Sequence, residues 1–596
     1  MPAPTQAVCD AWTPGITSQI PESLKPQITL FRAENATVDY RRACEYADFC
    51  GLSVNTLFSL RVERLVVHEL LVRVTADLTV PDGPNYQDLG INLRAMVAEL
   101  YKYALPEFPA MRKAFDQDKA VLMQFIESEI QTRLFSQRAA SVKPKPDISW
   151  LRRLFGGVVT SEVSASSKSP EEPVEVVALA NWKQRIVTET SPLQLAALQA
   201  LVKVVGSMVA IRGRVMNRPG LIADIATNMA CNNTGSTMIA KLVEPVFKAG
   251  VAAHNYRLLP VQLKPLVMNV KGASASGKST IRPQQRQLAE KLNILWEDFA
   301  LISPDYWRKY LLDYGSLGDN YKYAAMLTGQ ELEIVDAKLD HHMAQKAASG
   351  EVSHLLIDRF RFDSFNVGNG GHSRDSKLLS RFGHQIFLYF MITPPADTVV
   401  RAWERGQTTG RFKAVDDLLY HNIEAYTGMP DLFLSWVHSG DKQLHFEFLD
   451  NSVEKGQPPK TAAFGWNNAM TIFDVDLMRA VECYKKVNVN AATAAQVLTE
   501  ESPGGWEPCG YGEFLRRCLG TIRQVSFAES DSGNIYAQLR DGKMIWWNKA
   551  AVEKRPEAAF LKSLFAQHAE SLNDLPVRSE AIIDAVAEKQ YTLGQW

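Results

Sequence analysis

Residues 272–279 read Gly-Ala-Ser-Ala-Ser-Gly-Lys-Ser, a full match to the pattern G-x-x-x-x-G-K-[ST]. The flanks restrict the fold further. An apolar run, Leu266-Val267-Met268-Asn269-Val270, comes directly before it, and a helical stretch ending near Leu292 comes directly after. A strand that turns into a helix through a glycine-rich segment lets many backbone N–H groups point at one centre. Gly272, Ala273, Ser274, Ala275, Ser276, Gly277, Lys278, Ser279 and Thr280 are the residues that would wrap a phosphate in this way, aided by the positive end of the following helix. Lys278 would reach between the β- and γ-phosphates, and the Ser279 hydroxyl would ligate Mg²⁺. The segment is therefore expected to hold ATP or GTP with Mg²⁺. Pro283 disagrees with this picture, because it falls in the second turn of the expected helix, where it removes a donor and favours a kink.

From 264 to 452 short apolar runs alternate with helical stretches. The runs are Leu266–Val270, Phe299–Ser303, Leu355–Asp358, Ile386–Thr393 and Leu444–Leu449. Such alternation predicts an α/β core, a parallel sheet with helices on both faces. Functional groups in an open parallel sheet collect beyond the carboxyl ends of the strands. Asp305, just after the second run, is the candidate base for an attacking hydroxyl, although it also suits the N-cap of a helix starting at Tyr306. Asp358, ending the third run, can hold the metal beside Ser279, or can pair with Arg359 or Arg361 instead. After the fourth run, a helix with Arg401 and Arg405 leads into Gly406-Gln407-Thr408-Thr409-Gly410-Arg411, a place for a lid whose guanidinium groups offset charge on a transferred phosphoryl group. Thr328-Gly329-Gln330-Glu331 matches a capping box and marks the start of a long helix. Gly368–Ser376 contains His372 and Arg374, which could touch an acceptor or belong to a plain surface loop.

The phosphate loop, S-P-D-Y-W-R after the second strand, the helix ending A-Q-K-A-A-S-G-E, the strand L-L-I-D-R-F-R and the run R-A-W-E-R-G-Q-T-T-G-R-F together resemble the zeta-toxin family. That family is a branch of P-loop kinases similar to polynucleotide kinases and chloramphenicol phosphotransferase. The resemblance covers about 264–452. It implies an ATP/GTP- and Mg²⁺-dependent phosphotransferase acting on a hydroxyl of a small, nucleotide-bearing metabolite, in a family that includes toxins. By matching motifs, Lys278, Asp305, Arg405 and Arg411 would be catalytic, and Ser279 and Asp358 would serve the metal. The chain departs from the family in having Pro304 before the base, and Ala-Ser-Ala-Ser inside the loop.

Around that core the expected organisation is a helical domain at 1–140, a linker or exposed loop at 141–177, a helical block at 178–260, the P-loop kinase domain at 261–475 and a small α+β extension at 476–596. The helical N-terminal region could meet a protein partner. Asp541-Gly542 between two short apolar runs predicts a hairpin, with Trp546 and Trp547 covering a small core. Leu193–Ile211 approaches the length of a membrane span, but Gln194, Gln199, Lys203 and Ser207 form one polar stripe, so a bundle helix fits better. The 65 basic and 66 acidic residues balance, and the core lacks a basic run, which disfavours a nucleic-acid partner and favours a small-molecule acceptor. The N-terminus lacks a basic and then apolar signal segment, and the seven cysteines show no metal-ligand spacing, so reduced thiols and a cytoplasmic location are expected.

Overall fold

The computed structural model describes residues 9–85, 87–136, 172–359, 383–438, 442–454, 456–498, 512–576 and 581–596. Chain contacts divide it into two compact units, one from the described parts of 1–22, 71–99 and 251–596, the other from 23–70 and 100–250. These boundaries differ from those expected along the sequence, because residues 71–99 belong with the sheet-containing unit.

The smaller unit is built from helices. Pro192–Arg212 buries Ala197, Leu198, Leu201, Val204, Val205 and Met208, while Gln194, Gln199 and Lys203 are exposed, as the polar stripe predicts. Among the described residues it is the one helix long and apolar enough to cross a membrane. It packs on Phe108–Ile130 and Val174–Thr188. The latter two are joined by Glu129, which accepts from Trp182 Nε1 at 2.9 Å and pairs with Arg185 and Arg133. Helix Val174–Thr188 starts inside the expected linker; the rest of that linker up to 171 lies outside the described residues.

The larger unit is an α/β structure. Its strands are β1 (Leu266–Gly272), β2 (Phe299–Ile302), β3 (His354–Ile357), β4 (Gln385–Ile392), β5 (Gln443–Asp450), β6 (Lys460–Trp466), β7 (Ala469–Ile472), β8 (Gln524–Ala528), β9 (Asn534–Arg540), β10 (Lys543–Trp547) and β11 (Ala581–Ile582). They form one sheet in the order β10-β9-β8-β7-β6-β5-β4-β1-β3-β2, with β11 on β9. The five strands β2-β3-β1-β4-β5 are parallel, with Val267 opposite both Leu355 and Ile386. They correspond to the five apolar runs, and β1 is buried along its whole length, as expected for a strand covered on both faces. The chain leaves β1 for β2 at the edge, returns to β3, then crosses to β4 on the far side. The carboxyl end of β1 is thus the point where connections depart in opposite directions, the place where such sheets form a crevice.

Beyond β5 the pairing turns antiparallel through β6 and β7, is parallel once at β7–β8, and ends in the β9–β10 hairpin and β11. The boundary expected at 475 therefore cuts a continuous sheet, and 476–596 is not a separate extension. The hairpin turns at Asp541-Gly542, and Trp546 and Trp547 are buried, as read from the sequence. Three other expectations change. Pro283 sits in the first turn of helix Arg282–Lys291, where its missing N–H has no helical partner to lose, so no kink arises. Thr328 does not cap helix Gly329–Ala348: its hydroxyl donates to Ala324 O and accepts from Arg308, and Glu331 is buried. Cys483 is disulfide-bonded rather than a free thiol, whereas Cys9, Cys44, Cys50, Cys231 and Cys518 are free.

Phe433, on helix Val415–Val437, packs that helix onto β4 and β5 and against helix Glu513–Thr521. Its ring lies 4.7 Å from Phe446, 5.0 Å from Phe448, 5.8 Å from Phe390 and 6.0 Å from Phe514. It is fully buried. Phe433→Ala is expected to lower unfolding stability by about 3–5 kcal/mol, measured by denaturant titration, and a loss below about 1 kcal/mol would contradict this packing role.

Candidate active site

The 272–279 loop begins where β1 ends at Gly272. Ala275 (φ +63°) and Gly277 (φ +93°) are left-handed while Ser276 between them is not, an alternation that turns successive N–H groups toward one concave side. Gly277 is required twice over, by its φ and because a Cβ there would lie 2.2 Å from Asn451 Nδ2. From behind, Thr393 Oγ1 and Asn451 Nδ2 donate to Ser276 O at 2.9 and 2.7 Å. Thr393 follows β4 and is itself held by the Tyr426 hydroxyl; Asn451 follows β5. The expected helix directly after the loop is instead a 3-10 turn, Lys278–Ile281, which continues into Arg282–Lys291.

Lys278 Nζ donates to Gly272 O and Ala273 O at 3.1 and 2.8 Å, and Thr280 Oγ1 donates to Gly277 O. Ser279 Oγ donates to Asp358 Oδ2 at 2.6 Å. Asp358 does not pair with Arg359, whose guanidinium is buried between Asp336 and Asp340 on helix Gly329–Ala348. Arg361, His372 and Arg374 lie outside the described residues. A hydroxyl beside a carboxylate is an all-oxygen donor set of the kind Mg²⁺ takes, with its other ligands left to phosphates and water. Among the described residues no group of three or more His, Cys, Asp or Glu side chains comes together, so a structural zinc-type centre has no counterpart there.

Asp305 lies in the short 3-10 turn Pro304–Trp307 after β2 and caps nothing. Its Oδ1 accepts from Arg308 Nε at 3.1 Å and its Oδ2 from Arg411. Helix Pro395–Thr409 ends at Gly410, and the chain reverses there to bring Arg411 to Asp305. Burial alone would raise the Asp305 pKa, but Arg411, Arg308 and Arg405 hold it far below the carboxylate range. The group stays ionised while its side chain remains 38% exposed to the cavity. Arg401 and Arg405 both line the same cavity, and Arg401 also donates to Asn451 O and Val453 O and so braces the turn after β5. Burial pushes Lys278 down to about 8, with Arg405 and Arg411 adding to the shift and Asp358 and Asp305 opposing it.

Sequence reasoning missed Arg308, although its spacing of three from Asp305 was a usable signal. It also missed Thr393 and Asn451, polar residues just past the ends of buried strands. Lys413, Asp417 and His421 were missed as well. Lys413 lies 2.9 Å from Asp417 Oδ2 and 2.6 Å from His421 Nδ1. Burial brings Lys413 to about 8 against the pull of Asp417, and burial and Lys413 bring His421 to about 3. Of these, Arg308, Asn451, Lys413 and His421 line, with Lys278, Ser279, Asp305 and Asp358, one cavity of about 1950 Å³ over the carboxyl ends of the parallel strands. No protein-family model matches the chain, and neither a curated protein nor a solved structure matches it.

The direction of the Lys278 shift can be checked without ligand. Its ammonium should titrate near pH 8, read by NMR of isotope-labelled lysine methylenes. Asp358→Asn or Asp305→Asn should lower that midpoint further and Arg405→Ala should raise it; a midpoint near 10.5 in the wild type would contradict the arrangement.

Proposed function

We propose that the protein is a P-loop kinase of the zeta-toxin-like kind, transferring the γ-phosphate of ATP or GTP to a hydroxyl of a small metabolite. One observation carries the reading: Asp305, an ionised carboxylate tied to two arginines, opens onto the same cavity as the phosphate loop with Lys278 and Ser279. A phosphate-binding loop alone serves switches and kinases equally. A carboxylate poised beside it serves an acceptor hydroxyl.

In this reading the loop N–H groups and Lys278 bind the phosphates. Ser279 and Asp358 would hold Mg²⁺, which when bound neutralises phosphate charge. The acceptor oxygen, hydrogen-bonded to Asp305, attacks the γ-phosphorus and forms the new P–O bond. The bond from that phosphorus to the β–γ bridging oxygen breaks, and its electron pair leaves with the nucleoside diphosphate. The hydroxyl proton passes to Asp305. A carboxylate held this far below its usual pKa is a weak base, and that suits a loose transition state in which the proton leaves late. It orients the hydroxyl first. Arg405 and Arg411 are the groups placed to meet charge on the transferred phosphoryl oxygens. Carboxylates at Asp88, Glu333, Asp397, Glu404, Glu424 and Glu454 line the cavity beside its cations, which supports a small-molecule acceptor over a nucleic-acid end, since strand-binding grooves concentrate cations along the backbone path.

Incubation of the purified protein with γ-labelled ATP, Mg²⁺ and a metabolite extract should yield a labelled small molecule. Lys278→Ala should abolish labelling. Asp305→Asn should lower kcat by about 10²–10⁴-fold while the Kd for MgATP stays within a few-fold. Nucleotide binding with no transfer to any acceptor, and with Asp305→Asn indistinguishable from wild type, would overturn the kinase reading in favour of a switch.

A further inference from the structure

The cavity is asymmetric, and the asymmetry involves a segment from the N-terminal half of the chain. Five parallel strands have four spacings of about 4.8 Å, so their carboxyl ends span about 19 Å. The phosphate loop sits near the middle, after β1. Asp305 and Arg308, which follow β2, lie toward one edge; Asn451, which follows β5, marks the other. A phosphoryl group moving from Lys278 toward Asp305 travels to the β2 edge. The acceptor therefore belongs at that edge.

The wall there is formed by Asn85, Gln87, Asp88 and Ile91 together with Leu332 and Glu333. The first four come from residues 71–99, more than 170 positions before the loop and outside the region of motif resemblance. The segment is fixed in place. Asp82, with a side chain only 3% exposed, pairs with Arg282 at 3.4 Å and Arg286 at 3.0 Å, and accepts from Trp296 Nε1 at 3.3 Å. Arg286 also donates to Asp82 O. Removing a carboxylate from water this fully is unfavourable unless it is paired and hydrogen-bonded, and here two guanidinium groups and an indole supply that. Both arginines lie on the helix that continues from the phosphate loop. Further along, Arg94 donates to Tyr306 O, and Gly90 packs so closely on Tyr306 that a Cβ would lie 2.5 Å from its ring. The wall is thus attached to the phosphate-loop helix at one end and, at the other, to the turn that carries Asp305.

We propose that the wall formed by Asn85, Gln87, Asp88 and Ile91 is the acceptor-specificity element of this enzyme and that it takes an uncharged, hydroxyl-rich group. The inference rests on the kinase reading above. The wall offers carboxamides at Asn85 and Gln87, carboxylates at Asp88 and Glu333, and apolar contact at Ile91 and Leu332. Amides and carboxylates hydrogen-bond hydroxyls, and the apolar side chains suit the C–H faces of a polyol or sugar ring. None of these six side chains is a cation. A phosphate group on the acceptor at this position would meet Asp88 and Glu333, while Arg308, the cation at the same edge, is held by Asp305, Ala325 O and Thr328 Oγ1.

The test uses the full-length protein, γ-labelled ATP, and paired acceptors: unphosphorylated sugars, polyols and nucleosides against their monophosphates. Wild type should label the unphosphorylated member of a pair at least 10-fold more efficiently in kcat/KM. Asn85→Ala/Gln87→Ala should raise the acceptor KM by 10-fold or more with kcat changed less than three-fold, and the Kd for MgATP should stay within two-fold. Gly90→Val, which pushes the wall off Tyr306, should act in the same direction. Preference for the phosphorylated acceptors, or an unchanged acceptor KM in both variants, would overturn this inference and leave the kinase reading standing. Absence of transfer to every acceptor by the wild type would remove both.

Discussion

Two side chains donate to one acceptor, the carbonyl oxygen of Ser276: Thr393 Oγ1 from the end of β4 and Asn451 Nδ2 from the end of β5. The loop keeps its concave form because its back is tied to two neighbouring strands before any phosphate arrives. That pre-set form matters energetically, since a loop that had to be ordered by its ligand would lose affinity to conformational entropy. The ties depend in turn on the parallel register that brings β4 and β5 to end level with β1. The register depends on the buried faces of those strands, where a slip of one residue would turn every side chain to the opposite face. Each functional group discussed here hangs from that register.

The electrostatics follow from the same crowding. Lys278, Arg308, Arg405, Arg411 and Lys413 converge on a volume that contains Asp305, Asp358 and Asp417. Burial draws Lys278 and Lys413 down to about 8, and the neighbouring Arg405 and Arg411 add to both shifts. A bound triphosphate would add negative charge beside both lysines and favour their charged forms. On the proposed kinase reading Arg411 has two calls on its guanidinium, the Asp305 carboxylate it pairs with and an incoming phosphoryl group. A shift from the first to the second would free Asp305 at the moment the acceptor needs it.

The parallel half of the sheet was legible because fully buried strands read as unbroken apolar runs bounded by clear turn residues, and because the phosphate-loop pattern fixes what surrounds it. The strands β6 and β7 were not legible. Lys460–Trp466 is rich in Ala and Gly, Ala469–Ile472 has four residues, and neither carries a periodic signal long enough to stand out. The turn of Asp305 was placed correctly after β2, yet its ties to Arg308 and Arg411 are tertiary facts. The capping role suggested for Thr328 failed for a similar reason: Arg308 claims its hydroxyl. The assignment of 71–99 to the sheet unit had no local signal at all, because what fixes Asp82 lies 200 residues away.

That separation bears on the order in which the protein is made. Asp82 leaves the ribosome long before Arg282 and Arg286, and for that interval its carboxylate has only water for company. The brace on Ser276 waits longer still, until Asn451 has been synthesised, 175 positions after the carbonyl it holds. Contacts this distant form late and slowly, since a long loop must close before they contribute. The wall and its anchors are made before or just after the 272–279 loop, so it is the brace alone that the nascent loop must wait for. The loop's braced form is thus a property of the whole parallel half of the sheet, and a chain halted before β5 ends would carry the motif without it.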